Sequence, residues 1–378
     1  MNYLFVCGGS AGHINPALAI AEQMRRKSPD ADILFIGADK ILEKRLIPEA
    51  GFRLQNIKMS GLRRGFSPSD IIHNVKTARN LISANFKSKK MLNRFKPDAV
   101  IGTGGYICYP VLKSAARSGI PTYVLEPNAY PGLAVRMLSS IVDKIFVTYN
   151  GLESRYKKPD RVVYTGTPLR SKFTSTDVDV TEKEKSDKPL VVSYWGSIGS
   201  TGMNIKITDF IERNIKEEKF NHIHATGVGG SVDIIKERLM KKGISEIKAP
   251  IADIREYISN MPTVMGSADI VITRAGASTI AELTAMGKPA ILIPSPNVTE
   301  NHQEENARQL EKAGGVEMIL ENECTGESLF DKVVSILEDK NKLKKMAEAQ
   351  KSLSVQDAAT KIVDIVLGCN SDNVEDGV

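Results

Sequence analysis

Short apolar runs of strand length recur along the chain, separated by stretches with helical spacing. In the first half they fall at residues 3–7, 33–37, 99–103, 122–125 and 144–147. In the second half they fall at 190–194, 222–226, 270–274 and 290–294. Strands that alternate with helices imply parallel sheets with right-handed crossovers, so each half reads as a doubly wound α/β domain. The expected division is a first domain over 1–173, a polar and aperiodic linker over 174–188, and a second domain over 189–352. A helix within 353–370 could pack back on either domain. The acidic tail from 371 to 378 is expected to fray.

Length fits two domains: 378 residues, at roughly 100–200 residues each, allow every half its own core. A hydrophobic fraction of 42 % excludes a disordered or collagen-like chain. Four scattered cysteines, with no Cys-x-x-Cys pair, argue against a structural zinc site and for a reducing compartment. The first apolar run is too short for a signal-peptide core. No later run reaches the roughly 18–20 apolar residues of a membrane span, so a cytoplasmic protein is expected. The net charge of +6 conceals an asymmetry. Residues 1–173 hold 27 Lys and Arg against 12 Asp and Glu, whereas the remainder holds 24 against 33. The basic half therefore attracts anions: nucleic acid, an anionic membrane surface or a phosphorylated substrate.

Candidate chemistry sits where strands end. Gly8-Gly9-Ser10-Ala11-Gly12-His13, Gly102-Thr103-Gly104-Gly105-Tyr106 and Gly196-Ser197-Ile198-Gly199 each follow a predicted strand. In an open parallel sheet ligands bind at the carboxyl ends of the strands. Glycine lets backbone approach a phosphate, and the next helix offers unpaired N–H groups and a partial positive charge. Asn15-Pro16 fits the N-cap and first position of the helix after the first loop. A fourth segment, Arg274-Ala275-Gly276-Ala277-Ser278-Thr279-Ile280-Ala281-Glu282, repeats the pattern. There Thr279 and Glu282 have capping-box spacing, and Glu282 is alternatively placed to accept from ribose hydroxyls. Two Asp-x-Asp triplets, 30–32 and 177–179, read as solvated turns. His73 in a helix, and His222 and His224 flanking a strand, lack the spacing of a metal site. Neither a metal nor a cofactor is expected.

Seven separated motifs agree in order and spacing with one known family. They are the loop from Gly8 to Pro16, Gly104-Gly105-Tyr106, Pro127-Asn128, Gly166-Thr167-Pro168-Leu169-Arg170, Gly196–Gly199 as above, Arg274 through Glu282, and His302-Gln303 with Asn306-Ala307. In these the chain resembles the peptidoglycan N-acetylglucosaminyltransferases of glycosyltransferase family 28, over roughly residues 3–315. The resemblance implies a GT-B fold, two doubly wound Rossmann-like domains facing a cleft. It implies an inverting transfer of N-acetylglucosamine from UDP-N-acetylglucosamine to lipid I, the undecaprenyl-diphosphate-linked acceptor. Implied donor contacts are the main chain near Ile258 for the uracil, Glu282 for the ribose, and Ser197 with the amides of Ala277, Ser278, Thr279 and Ile280 for the diphosphate. Ala281 belongs to the same segment, Arg170 assists the diphosphate, and Asn128 and Gln303 would hydrogen-bond the sugar. Ser10, Ala11 and Gly12 count with the donor contacts, and their loop together with Gly104, Gly105 and Tyr106 would bind the acceptor's diphosphate. His13, before a helix N-terminus, should favour its neutral form and serve as general base.

The segment from Gly61 to Lys96 carries nine basic residues and one acid, Asp70, with Phe66, Ile71, Ile72, Phe86 and Phe95 among them. Such clusters attract anionic lipid surfaces, which a lipid-linked acceptor requires, so peripheral attachment to the inner face of the cell membrane is expected here, and no nucleic acid partner. Ile71, Val75, Ala78, Ile82 and Phe86 also fit a core stripe, and most are expected to be core. The chain departs from the family pattern at several positions. Among them, Trp195 stands where a second Gly is usual, and it and Tyr109 are expected to narrow the cleft. Three rival readings remain: a GT-B transferase acting on another lipid such as diacylglycerol, a UDP-N-acetylglucosamine 2-epimerase, and a non-catalytic lipid- or nucleotide-binding protein.

Overall fold

The computed structural model describes residues 1–59, 61, 67–170, 173, 187–196, 198–228, 231–298, 301–355 and 357–368. The chain divides into two units, Met1–Arg170 with Val355–Val378, and Ser171–Ser354. Of the predicted linker, only Asp187 and Lys188 lie among the described residues.

In the first unit the strands are β1 (Asn2–Val6), β2 (Asp32–Gly37), β3 (Arg53–Asn56), β4 (Ala99–Gly102), β5 (Thr122–Glu126), β6 (Lys144–Val147) and β7 (Val162–Tyr164). The second holds β8 (Leu190–Tyr194), β9 (Asn221–Ala225), β10 (Asp253–Arg255), β11 (Ile270–Thr273), β12 (Ala290–Leu292) and β13 (Val316–Met318). Among the described residues they form a seven-stranded sheet, ordered β3-β2-β1-β4-β5-β6-β7, and a six-stranded one, ordered β10-β9-β8-β11-β12-β13. Every pairing is parallel. Central strands are apolar without alternation because helices cover both faces. Thus Leu4, Phe5, Val6, Val100 and Ile101 are fully buried, as are Val191, Val192, Val271 and Ile272.

The winding direction reverses once in each sheet. From β1 the chain moves outward through β2 and β3, then returns to β4 on the other side of β1; β8 and β11 are related in the same way. Those reversals are the switch points where an α/β sheet leaves a crevice. Register brings the strand ends level there, Val6 beside Gly102 and Tyr194 beside Thr273. All four small-residue segments singled out in the sequence emerge at these two places.

The helix Ala358–Leu367 belongs to the first unit and packs on the helix Ala11–Lys27. Ile362 and Val363 join the core formed by Ile14, Leu18 and Phe35. Gln23 donates to Thr360 Oγ1 (3.0 Å), Lys361 to the Tyr164 carbonyl (2.8 Å), and Lys27 is ion-paired with Asp364.

His222 and His224 do not flank a strand. Both lie inside β9 on one face, fully buried, with Ser193 Oγ 2.8 Å from His222 Nε2 and 2.7 Å from His224 Nδ1. Burial holds both rings neutral, pushing His224 down to about 3 and His222 well below the ordinary range.

Candidate active site

The helix after β1 begins earlier than Asn15-Pro16 suggests. It spans Ala11–Lys27 with Ser10 as N-cap, and Pro16 lies inside it. Proline is tolerated there because the fault falls near the first turn, where the missing N–H forgoes only the bond to the Gly12 carbonyl. His13 is therefore the third helical residue rather than one preceding the helix. Its Nδ1 lies 3.0 Å from the Thr103 carbonyl, and Thr103 Oγ1 donates back to the His13 carbonyl (2.6 Å). A carbonyl only accepts, so Nδ1 carries the proton and Nε2 bears the lone pair of the neutral ring. Gly104 makes this contact possible. At φ +106° a Cβ on it would stand 2.4 Å from His13 Nδ1, and one on Gly105 would stand 2.3 Å from the Gly8 carbonyl. Half-buried Tyr106 follows, packed on the core of this unit.

Two buried carboxylates, absent from the sequence reading, organise these loops. Glu43 is fully buried beneath the first loop and accepts from the amides of Gly9 (2.9 Å) and Lys40 (3.0 Å). Glu126 closes β5 and accepts from the Asn128 amide (3.0 Å), Asn128 Nδ2 (2.9 Å) and the Gly132 amide (2.8 Å). Burial raises its carboxyl above the ordinary range even against those three bonds. The Asn128 side chain is thus oriented by a neighbour two residues away. The available signal was a carboxylate ending an otherwise apolar strand. Arg170 is ion-paired with Glu22, which accepts from Nη2 at 2.9 Å and from Nε at 3.2 Å.

In the second unit the helix after β11 spans Ala277–Met286, and its N-cap is Gly276. Thr279 and Glu282 are consequently the third and sixth helical residues, so the capping-box reading fails: the backbone turns helical two residues before Thr279. The amides of Ala277, Ser278 and Thr279 are the ones a helix start leaves without intrahelical acceptors. The Ile280 amide is not among them, because it donates to the Gly276 carbonyl (3.0 Å). Ala281 is buried one residue further on. Ser278 Oγ is buried with no protein partner, and so is Thr273 Oγ1. Burial alone pushes the Glu282 carboxyl up to about 8. Ile258 is buried beyond β10. Gln303, in the first turn of the helix His302–Lys312, accepts from the Ser295 amide through Oε1 (2.9 Å), which leaves its Nε2 as the outward donor. Ser197 lies outside the described residues. Trp195 does not line an opening: it is 4 % exposed and packs with Val191, Met203 and Ile207.

The long helix Pro68–Phe95 overturns the expectation of an apolar core stripe. Its buried side is Thr77, Ala84, Ser88 and Leu92, with Leu81, Met91 and Phe95 against the core. Ile71, Ile72, Val75, Ile82 and Phe86 face outward, each between 56 and 74 % exposed. At 100° per residue, Ile71, Val75, Ile82 and Phe86 fall within one narrow arc, and Arg79, Lys90, Lys76 and Lys87 follow along one flank. Arg63, Arg64 and Phe66 lie outside the described residues, as does the side chain of Ala78. Among the described residues no helix is long and apolar enough to cross a membrane.

Two parallel α/β units with open switch points define the GT-B class. Crystal structures in that class align with the whole chain. One is MurG from Acinetobacter baumannii, with a TM-score of 0.74 at 23 % identity, covering 97 % of this chain and 99 % of that one. Another is the UDP-GlcNAc 2-epimerase from Neisseria meningitidis bound to UDP-GlcNAc, with a TM-score of 0.66 at 16 % identity, covering 97 % and 100 %. Fold alone therefore leaves transferase and epimerase side by side. Sequence separates them. Residues 3–147 match the glycosyltransferase family 28 N-terminal domain and residues 195–362 its C-terminal domain. A protein of Acetivibrio thermocellus, 40 % identical over 369 residues and 97 % of both chains, is named UDP-N-acetylglucosamine–N-acetylmuramyl-(pentapeptide) pyrophosphoryl-undecaprenol N-acetylglucosamine transferase. The chain belongs to glycosyltransferase family 28.

The His13 geometry has a direct spectroscopic consequence. Nitrogen-15 NMR of histidine-labelled protein is expected to show His13 as the Nδ1–H tautomer at neutral pH. Gly104→Ala should abolish that signature by driving a methyl group into the ring; an unchanged tautomer in the variant would contradict the assigned contact.

Proposed function

We propose that this chain transfers N-acetylglucosamine from UDP-N-acetylglucosamine to the 4-hydroxyl of the N-acetylmuramoyl unit of undecaprenyl-diphospho-N-acetylmuramoyl-pentapeptide, converting lipid I to lipid II. The observation that carries the reading is likeness to transferases of that name over 97 % of both chains. The second unit holds the donor. Backbone near Ile258 reads the uracil, Glu282 accepts from the ribose hydroxyls, and Ser197 with the amides of Ala277, Ser278 and Thr279 cradles the diphosphate. Gln303 Nε2 and Asn128 donate to the sugar. Ser10, Ala11 and Gly12 add contacts, and Arg170 adds a positive charge. Gly104, Gly105 and Tyr106 receive the acceptor.

The chemistry is a single displacement. The acceptor's 4-hydroxyl oxygen bonds to the sugar's anomeric carbon as the bond from that carbon to the β-phosphate oxygen breaks, inverting the centre to a β linkage. His13 Nε2 takes the hydroxyl proton, which the Thr103 carbonyl assists by fixing the tautomer and favouring the imidazolium that forms. The departing UDP keeps the electron pair and meets amides already oriented at a helix start, so little reorganisation is needed as charge develops. The exposed apolar stripe with its basic flank suits peripheral attachment at the membrane surface where the acceptor resides.

Incubation with UDP-N-acetylglucosamine and a short-chain lipid I analogue should yield the disaccharide product, and His13→Ala should lower kcat by 100-fold or more while sparing UDP affinity. Free N-acetylmannosamine as product would instead establish the epimerase reading, and transfer to diacylglycerol alone would establish the other lipid transferase.

Glu282 makes UDP binding pH-dependent. Its carboxyl, near 8 in the free protein, is largely protonated at pH 7, whereas ribose hydroxyls donate best to the carboxylate. Binding therefore favours the ionised form and releases protons, so affinity should climb as pH rises toward 8 and level off above it. Calorimetry in buffers of different ionisation enthalpy reads the proton release. Glu282→Gln should remove both the release and the slope and weaken binding about tenfold.

For the outward stripe, sedimentation with anionic vesicles is the measurement. Replacing Ile82 and Phe86 by Glu should cut vesicle binding at least tenfold with melting temperature unchanged, because both side chains already face outward; retained binding would refute this membrane face.

A further inference from the structure

The second unit contains a buried arginine that the proposed chemistry does not use. Arg274 follows β11 directly and is 8 % exposed. Its Nη1 donates to the carbonyls of Ile293 (3.0 Å) and Pro294 (3.3 Å), and lies 2.7 Å from the Glu321 carboxylate. Its Nη2 donates to Ser200 Oγ (3.2 Å), and the guanidinium carbon sits 5.9 Å from the centre of the Trp195 ring. These partners come from three separate strand ends. Trp195 and Ser200 bracket the small-residue turn after β8, and Ser200 is the N-cap of the helix Thr201–Glu217. Arg274 itself stands two residues before Gly276, the N-cap of the helix Ala277–Met286. The carbonyls of Ile293 and Pro294 lie where the chain leaves β12, immediately before Ser295, whose amide holds Gln303.

From this we infer that Arg274 is a positioning residue for the donor's diphosphate: it fixes the start of the helix Thr201–Glu217, the start of the helix Ala277–Met286 and the Gln303 segment at one mutual spacing. The inference rests on the donor-binding reading above. The physical case is one of shape. A planar guanidinium directs its N–H groups along fixed directions and holds two carbonyls and a hydroxyl at set angles beside a carboxylate, whereas an ammonium on a flexible stem cannot. With Nη1 and Nη2 engaged by two carbonyls, a hydroxyl and the Glu321 carboxylate, Arg274 acts through what it holds. Two helix starts that each favour negative charge thereby converge on one side chain, and a ligand with two linked phosphates is the anion that gains most from their spacing. A ligand lacking phosphates gains nothing from it.

The test compares UDP with uridine. Trp195 is the sole tryptophan of the chain, and it adjoins the turn in question, so its fluorescence follows binding directly, with calorimetry as a second measure. In Arg274→Lys, uridine affinity should stay within twofold of wild type while UDP affinity falls tenfold or more. Arg274→Gln should lose UDP affinity to a similar degree, since geometry rather than charge is the variable. Ser200→Ala, which keeps the arginine, should weaken UDP selectively by a smaller factor, and Ser200→Thr should restore it by returning the hydroxyl. Parallel loss of UDP and uridine would make Arg274 merely structural and overturn the inference. So would full UDP affinity in Arg274→Lys. If the arginine variants fail to fold, the Ser200 pair decides: no selective loss in the alanine variant overturns the proposal. Wild-type protein that binds no UDP would sink the donor-binding reading with it, whereas strong wild-type binding untouched by these substitutions would sink the inference alone.

Discussion

A parallel sheet wound outward from its middle in both directions leaves one place uncovered, the carboxyl ends of the two strands where the winding reverses. Each unit of this chain has one such place, between β1 and β4 and between β8 and β11. The four small-residue segments follow from that constraint. Elsewhere a crossover helix closes over the strand end; at the reversal the two helices depart to opposite faces, and the backbone turns between them are left to hold a ligand. Small residues collect there because the turns must pass close together, as the approach of Gly104 to the His13 ring and of Gly105 to the Gly8 carbonyl demonstrates.

Holding such turns in place requires polar side chains where a hydrophobic core cannot reach. The chain solves this with buried charges just behind the turns. Glu43 and Glu126 gather backbone and side-chain N–H groups in the first unit, and Arg274 gathers carbonyls, a hydroxyl and a carboxylate in the second. Sign follows from what each must hold. Turns that present amides behind them call for a carboxylate, while converging strand ends present carbonyls and call for a guanidinium. A lone buried charge is costly, but these are surrounded by hydrogen-bond partners that offset their desolvation.

How much of this could be read from the sequence depends on how many neighbours a segment has. All nine strands identified by apolar runs are flanked on both sides. The four that were missed, β3, β7, β10 and β13, are the sheet edges. An edge strand has one neighbour and is partly open, so Arg53-Leu54-Gln55-Asn56 or Asp253-Ile254-Arg255 carries no apolar signal to find. The loops at the winding reversals were legible because glycine and short side chains are forced on them by geometry. Helix starts were less so. At Asn15-Pro16 and at Thr279-x-x-Glu282 residues suited to capping sit inside helices whose actual caps are Ser10 and Gly276, neither of which uses a side chain to cap. Gly276 gives no capping signal at all, and Ser10, though a residue type suited to capping, caps with no side-chain hydrogen bond.

The helix Pro68–Phe95 shows the same ambiguity at a larger scale. Periodicity says that one face is apolar; it does not say which solvent that face meets. The stripe of Ile71, Val75, Ile82 and Phe86 has the spacing of a core stripe, yet the core side of this helix is made of Thr77, Ala84, Ser88 and Leu92, with Leu81, Met91 and Phe95 beside them. Such exposure of large apolar groups in water is unfavourable unless something covers them. Charge supplies what periodicity lacks. Lys76, Arg79, Lys87 and Lys90 border an apolar stripe that is itself exposed, an arrangement that suits a surface meeting anionic headgroups, because lysines and arginines bind at the depth where the apolar side chains enter. Under the membrane-attachment proposal, exposure and the bordering charges together, rather than the apolar pattern, set this helix apart from one whose stripe is buried.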